Sequence, residues 1–294
     1  MDCFDRYFIC RDNLRLHYLE FMPDANAPTA TPVVCLPGLT RNSRDFLPLA
    51  ERLAAQRRVL VLDGRGRGDS EYPADAKTYR AESDLDDVLQ FLTVAGVHRC
   101  VAIGTSFGGM MSLGLAAFRP SVIAGIVLND IGPEVGWQAV VDLINAMTIE
   151  RPLTDWQQAA AELRRIIPEL GFTTDEGWLH AAKATWRQSA DGKLRMDFDV
   201  RLARAWQRRG VGEHDLWALW RGARDIPTLL VRGGISRVLT AESAERMRAD
   251  KPDLAVVEVP NVGHAPSLVE PESFAAIETL LATVDARERE LALA

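Results

Sequence analysis

The sequence predicts an α/β protein: a mostly parallel central sheet with helices on both faces, interrupted by an all-helical insertion. Three observations predict it. Short, wholly apolar runs such as Val33-Val34-Cys35-Leu36 and Val59-Leu60-Val61-Leu62 alternate with segments of helical periodicity. Runs of this kind are strands buried on both faces of a parallel sheet. Another apolar run leads through Gly104-Thr105-Ser106-Phe107-Gly108-Gly109 straight into an apolar helical segment. Finally, strand-like runs stop between about residues 134 and 222, and helical spacing takes over.

The elements follow in order. Residues 7–10 and 14–21 alternate apolar and polar around Arg11-Asp12-Asn13, the pattern of an antiparallel hairpin. A Pro/Ala-rich loop, 23–32, leads to the strand 33–36, which ends at Pro37-Gly38-Leu39-Thr40. A helix is predicted over 46–55 and a strand over 59–62. Asp63-Gly64-Arg65-Gly66-Arg67-Gly68-Asp69-Ser70 comes next, and its closely spaced glycines mark a tight loop. It lacks both the G-K-[ST] ending and the dinucleotide spacing, so it reads as a turn and not as a phosphate cradle. A helix over 82–95 carries Glu82, Asp84, Asp86 and Asp87 in its first turns, where they complement the helix dipole.

The strand 100–103, the Ser106 turn and a helix over 110–118 come next, then a strand over 122–128 ending in Asn129-Asp130-Ile131-Gly132-Pro133. Helices are predicted over 137–147, 155–170 and 176–188. All seven tryptophans (Trp137, Trp156, Trp178, Trp186, Trp206, Trp217 and Trp220) fall in the insertion. Packing is the expected role of any single one, and some are expected to line an apolar cavity. The sheet resumes at 227–231, followed by a helix over 241–247 and a strand over 255–259. The chain then reaches Asn261-Val262-Gly263-His264-Ala265-Pro266 and a helix from 271 to about 284, with 287–294 as a frayed extension. The predicted division is a core of 1–133 and 223–294 and a helical cap of 134–222.

Composition narrows the class. The 294 residues are 47% apolar and 26% charged, with a formal net charge of −7. That balance does not suggest binding to nucleic acid or to an anionic membrane. No apolar run is long enough to span a membrane, and no signal peptide is visible, so a cytoplasmic location is expected. Cys3, Cys10, Cys35 and Cys100 form no C-x-x-C pair. They read as reduced packing residues, not as a disulfide or metal framework. The expected partner is a small-molecule acyl substrate, with no metal and no cofactor; the oligomeric state is left open.

The chemistry centres on Ser106. Strand, sharp turn and helix are the context in which G-x-S-x-G presents a nucleophilic hydroxyl, with small residues two positions either side where a side chain would collide with a neighbouring element. The helix behind the serine aims its free N–H groups and positive dipole end at the site. In a parallel sheet the carboxyl ends of the strands share one edge. Ser106, Leu39, Asp63, Asp130, Arg237 and His264 all follow predicted strands and are expected there. Of the five histidines, His264 alone lies in a late strand-end loop and is the candidate general base. His17 lies in the first hairpin, His98 just before a strand, and His180 and His214 in the insertion. The backbone N–H groups of Leu39 and Phe107 are the candidate oxyanion donors.

Leu36-Pro37-Gly38, the 63–70 loop, the Ser106 motif and Val262-Gly263-His264-Ala265-Pro266 together carry a resemblance. The chain resembles the α/β-hydrolase superfamily, in particular its capped MenH-like and epoxide-hydrolase-like branch, from residue 33 to residue 284. The resemblance implies a cofactor-free hydrolase with a helical cap between the strand ending near Asp130 and the strand starting near Pro227. Two positions depart from the pattern. Pro37-Gly38 replaces the usual His-Gly, which leaves the backbone donor intact. Arg232-Gly233-Gly234-Ile235-Ser236-Arg237 stands where relatives carry an acid within Arg-Gly-x-x-Ser-Asp. Arginine has donors only and cannot accept the Nδ1 proton of His264. Asp130 is the best replacement acid and Glu242 a weaker one, although Asp130 reads equally as a turn residue at the entrance to the insertion.

The expected function is a serine hydrolase that cleaves ester, thioester or lactone bonds of a small apolar substrate through an acyl-enzyme on Ser106. A carbon–carbon bond hydrolase, a MenH-like lyase and an impaired ligand-binding homologue, motivated by Arg237, stay open as alternatives.

Overall fold

Hydrophobic alternation sets the architecture. In the computed structural model, which describes residues 2–24, 27, 30–149, 151–209 and 216–293, β1 (Asp2–Ile9) and β2 (Arg15–Met22) form the predicted antiparallel hairpin. β3 (Val33–Leu36), α1 (Leu47–Leu53), β4 (Val59–Leu62), α2 (Ala81–Val94), β5 (Cys100–Thr105), α3 (Phe107–Phe118) and β6 (Ile123–Asn129) then alternate as expected. The segment that follows holds α4 (Trp137–Thr148), α5 (Trp156–Ile166), α6 (Asp175–Thr185), β7 (Trp186–Gln188), β8 (Leu194–Met196), α7 (Val200–Arg209) and α8 (Leu216–Gly222). β9 (Thr228–Gly233), α9 (Ala241–Asp250), β10 (Ala255–Val259) and α10 (Pro271–Leu293) complete the chain.

The eight-stranded sheet has the order β1-β2-β4-β3-β5-β6-β9-β10. It is parallel from β4 onward, and β2 joins β4 antiparallel. All residues of β3, β4, β6 and β9 are buried. Along β3 the side chains divide by alternation. Val34 and Leu36 join the apolar layer with Phe91 of α2 and Leu113 of α3, while Val33 and Cys35 join the layer with Leu49 of α1 and Ile277 of α10. Two apolar layers therefore clamp the sheet, and its carboxyl edge is left for loops.

Four expectations change. The insertion is not all-helical: β7 and β8 pair antiparallel across a turn containing Asp191-Gly192, where Gly192 takes φ +80°. An Asp-Gly pair between short strands is a hairpin signal. The helix predicted over 155–170 breaks at Ile167, because Pro168 disfavours helical backbone in the residue before it. The tail predicted to fray from 287 onward is helical to Leu293, tied down by Glu288 to Arg99 (2.6 Å) and by Arg287 to the carbonyl of Asp225 (3.1 Å). Cys3 is exposed on β1, whereas the other three cysteines are buried. His214 and Ala294 lie outside the described residues.

The segment between β6 and β9 is fastened to the core near the sheet's carboxyl edge. Gly68 N–H donates to the Asp197 carbonyl (3.1 Å), Asp199 N–H to that of Gly66 (2.8 Å) and Gly263 N–H to that of Glu169 (2.6 Å). Among the described residues no helix is long and apolar enough to cross a membrane.

Candidate active site

Ser106 stands between β5 and α3 with φ +52° and ψ −115°, a backbone conformation rare outside glycine. The flanking glycines make the turn possible. A Cβ on Gly104 would lie 2.4 Å from the backbone of Gly108, and one on Gly108 would lie 1.8 Å from the carbonyl oxygen of Leu36 in β3. Ser106 N–H donates to Asn129 O at 2.9 Å, which fixes the turn against β6.

The amides of Leu39 and Phe107 have no acceptor among the described residues. One buried side chain, Arg67, holds both residues. Its Nε donates to the Leu39 carbonyl at 2.6 Å, its guanidinium carbon lies 5.5 Å from the Phe107 ring centroid, and Nη1 donates to Asp84 at 2.6 Å. The sequence reading missed this role. It took Asp84 and Asp87 as dipole complements on α2, yet both are buried partners of arginines from the glycine loop, Asp87 pairing with Arg65 at 2.7 Å. The signal available was two arginines in a glycine-rich loop followed by two aspartates about twenty residues later.

His264 and Asp130 meet: Nδ1 lies 2.7 Å from Asp130 Oδ2. Asp130 is fully buried and also accepts from Gly233 N–H (2.8 Å, on Oδ1) and from the Ser236 hydroxyl (2.5 Å, on Oδ2). The carboxylate thus faces three donors. An ionised carboxylate only accepts, so in this contact Nδ1–H of His264 is the donor. Ser236 was not expected in this role. Asn129 Nδ2 bonds both Thr105 Oγ1 (3.0 Å) and the Pro266 carbonyl (2.8 Å), tying the loop of His264 to the residue before Ser106.

The other candidates lie apart. The side chain of Arg237 is 69% exposed, and its nearest carboxylate is Glu169 at 3.9 Å. Glu242 lies in the first turn of α9, is 81% exposed and pairs with Arg246 at 3.3 Å. Asp63 points the other way, bonding His17 Nδ1 (2.7 Å), Ser43 N–H (2.6 Å) and Asp69 N–H (3.1 Å). His17, Asp63 and Asp69 could offer ligand atoms to a cation. However, both ring nitrogens of His17 already face aspartates, and Asp69 pairs with Arg187. His98 precedes β5, and His180 lies on α6.

Two cavities flank the site. Ser106, Leu39 and Phe107 open on a small apolar one of about 70 Å³, walled by Met110, Trp137, Val140, Ile144 and Trp206 among others. His264 opens on a second, of about 270 Å³, which Arg237, Glu169, Asp142, Ile167 and Val238 help to line. Trp137 and Trp206 are thus cavity residues, whereas Trp178, Trp186 and Trp220 are buried in packing.

Comparison with known proteins bears on this arrangement. Residues 31–271 match the alpha/beta hydrolase fold family. A solved structure of an alpha/beta hydrolase from Novosphingobium aromaticivorans is similar at a TM-score of 0.88 and 39% identity, covering 95% of this chain and 98% of that one. The 3-hydroxybutyrate-oligomer hydrolase of Cupriavidus necator is 33% identical over 269 residues, 89% of this chain and 90% of that protein. The 2-(acetamidomethylene)succinate hydrolase of Mesorhizobium japonicum is 29% identical over 251 residues, 80% of this chain and 82% of that protein.

Proposed function

We propose that this chain, which belongs to the α/β-hydrolase family, is a serine hydrolase that cleaves carboxylic esters through an acyl-enzyme on Ser106. Thioesters and lactones belong to the same reactive class. Ser106 Oγ attacks the carbonyl carbon while His264 Nε2 takes its proton. The N–H groups of Leu39 and Phe107 hold the oxyanion, and Asp130 stabilises the imidazolium. The carbon–oxygen bond to the alcohol then breaks as His264 returns the proton to the leaving oxygen. Water attacks the acyl-enzyme with His264 again as base, releasing the acid and freeing Ser106. The segment over 134–222 acts as a cap that shapes the acyl cavity.

The observation that carries this reading is the 2.7 Å bond between His264 and Asp130. An arginine at position 237 removes the acid from its usual place in this family, and a donor-only residue cannot orient the histidine. With Asp130 in that role, Arg237 is no longer a reason to expect an inactive site. A relative that hydrolyses 3-hydroxybutyrate oligomers supports an ester substrate.

A fluorophosphonate probe combined with p-nitrophenyl esters of graded acyl length tests the proposal. Ser106 is expected to label stoichiometrically. Ser106→Ala is expected to lose on the order of 10⁶-fold in kcat, the scale seen when a serine protease loses its nucleophile. Turnover retained in that variant would remove Ser106 from the mechanism.

A further inference from the structure

We infer that the substrates are esters of small hydroxy carboxylic acids, and that Arg237 binds the free carboxylate on the alcohol side of the scissile bond. The inference rests on the serine-hydrolase reading and adds the substrate class to it. Its first step is directional. The oxyanion donors share the apolar cavity with Ser106, so the acyl chain lies there. His264 must protonate the leaving oxygen, so the alcohol lies on the side of His264, in the second cavity. The named walls of the acyl cavity carry no charged side chain, so an ionised acyl group would be left there without a partner.

The alcohol cavity is different. Its walls are largely apolar, from Ala139, Leu143, Ile166, Ile167, Ile235 and Val238, with one cation, Arg237, among them. The guanidinium makes no hydrogen bond to any described residue, and its one ion pair, with Glu169, is loose at 3.9 Å. Two acids line the same cavity. Asp142 is exposed and accepts from Gln138 Nε2 at 2.8 Å, and Glu169 sits on the rim, 44% exposed. An incoming carboxylate can take the guanidinium in the bidentate geometry that Glu169 does not use. Arg237 is not needed to orient His264, because Asp130 already does so. A positive charge on the wall of the cavity that His264 opens on has a direct use if the leaving alcohol is an anion.

The test uses the full chain and two esters with one acyl group, 3-butyryloxybutanoate and its methyl ester, followed by release of butyrate. They share the scissile bond and differ in charge at the far end of the alcohol. Wild type is expected to favour the anion by about tenfold or more in kcat/KM, the scale of a hydrogen-bonded ion pair in a partly exposed site. Arg237→Gln should bring the ratio close to one, with the loss carried by KM. Glu169→Gln should raise the ratio, because it removes the competing carboxylate. Added salt should lower it in wild type. A wild-type ratio of one or less, or a ratio that Arg237→Gln leaves unchanged, overturns the inference. So does a protein that labels with fluorophosphonate yet cleaves neither ester. If Ser106 does not label and neither ester is cleaved, the serine-hydrolase reading fails and the inference falls with it.

Discussion

In the proposed mechanism Asp130 takes up at one strand end what position 237 lacks at the next. It is expected to act through His264, so Asp130→Asn should lower kcat by roughly 10²–10⁴ while KM changes little. An unaltered kcat in this variant would separate Asp130 from the mechanism. Arg237→Asp is expected not to raise turnover. Its carboxylate would stand at a position 69% exposed, while Nδ1 of His264 is already bonded. A strong gain would mean that the usual family position, and not Asp130, supplies the working acid. Only part of this was legible in the sequence. A strand-end aspartate is placed on the correct sheet edge by topology alone, but its hydrogen bonds come from Gly233, Ser236 and His264, more than a hundred residues later. Arg67 was less legible still. An arginine among glycines reads as solvated, and only the fold brings Leu39, Phe107 and Asp84 around it.

At the scale of elements, legibility follows how local the cause is. The Ser106 turn is legible within six residues, since Gly104 is required by a contact with Gly108 inside it, although Gly108 itself is required by Leu36 of β3. The break at Pro168 and the Asp191-Gly192 turn were equally local but were hidden by a helical spacing that ran across them. Tryptophan roles were not legible, since an indole on a helix gives no sign of what it faces. The structure sorts them, and the sorting can be measured. Trp220 is 1% exposed and donates to Asp250 at 3.0 Å, so Trp220→Ala should cost about 3–5 kcal/mol in unfolding free energy. Trp206 packs edge-on to Phe107 with centroids 5.1 Å apart and lines the cavity of Ser106. Trp206→Ala should therefore shift the preferred acyl length of p-nitrophenyl esters toward longer chains. If both variants only destabilise, the cavity assignment of Trp206 is wrong.

Across the whole molecule, the hairpin edge, the glycine loop and the segment beyond β6 are joined by charged side chains, buried at His17, Asp63 and Asp197 and half-exposed at Asp69 and Arg187. His17 of β2 is 1% exposed and lies between Asp63 Oδ2 (2.7 Å from Nδ1) and Asp5 Oδ1 (3.1 Å from Nε2). Asp69 bonds Arg187 at 2.8 Å, and Arg187 reaches Asp197 at 2.7 Å. Burial opposes the charged imidazolium, but the hydrogen bonds to Asp63 and Asp5 and the charges of Asp63 and Asp69 outweigh it, and the His17 pKa is raised above its ordinary value. The folded state therefore binds the proton more tightly than the unfolded chain. The stabilisation from this group is full below the unfolded pKa of about 6.5 and is lost as pH rises through the higher folded value. Other groups titrate over the same range, so the useful quantity is a difference. The urea midpoint of wild type minus that of His17→Asn should be largest near pH 6 and should shrink toward alkaline pH. A difference that grows as pH rises would mean that His17 is held neutral, with the aspartates supported by their backbone and arginine donors alone.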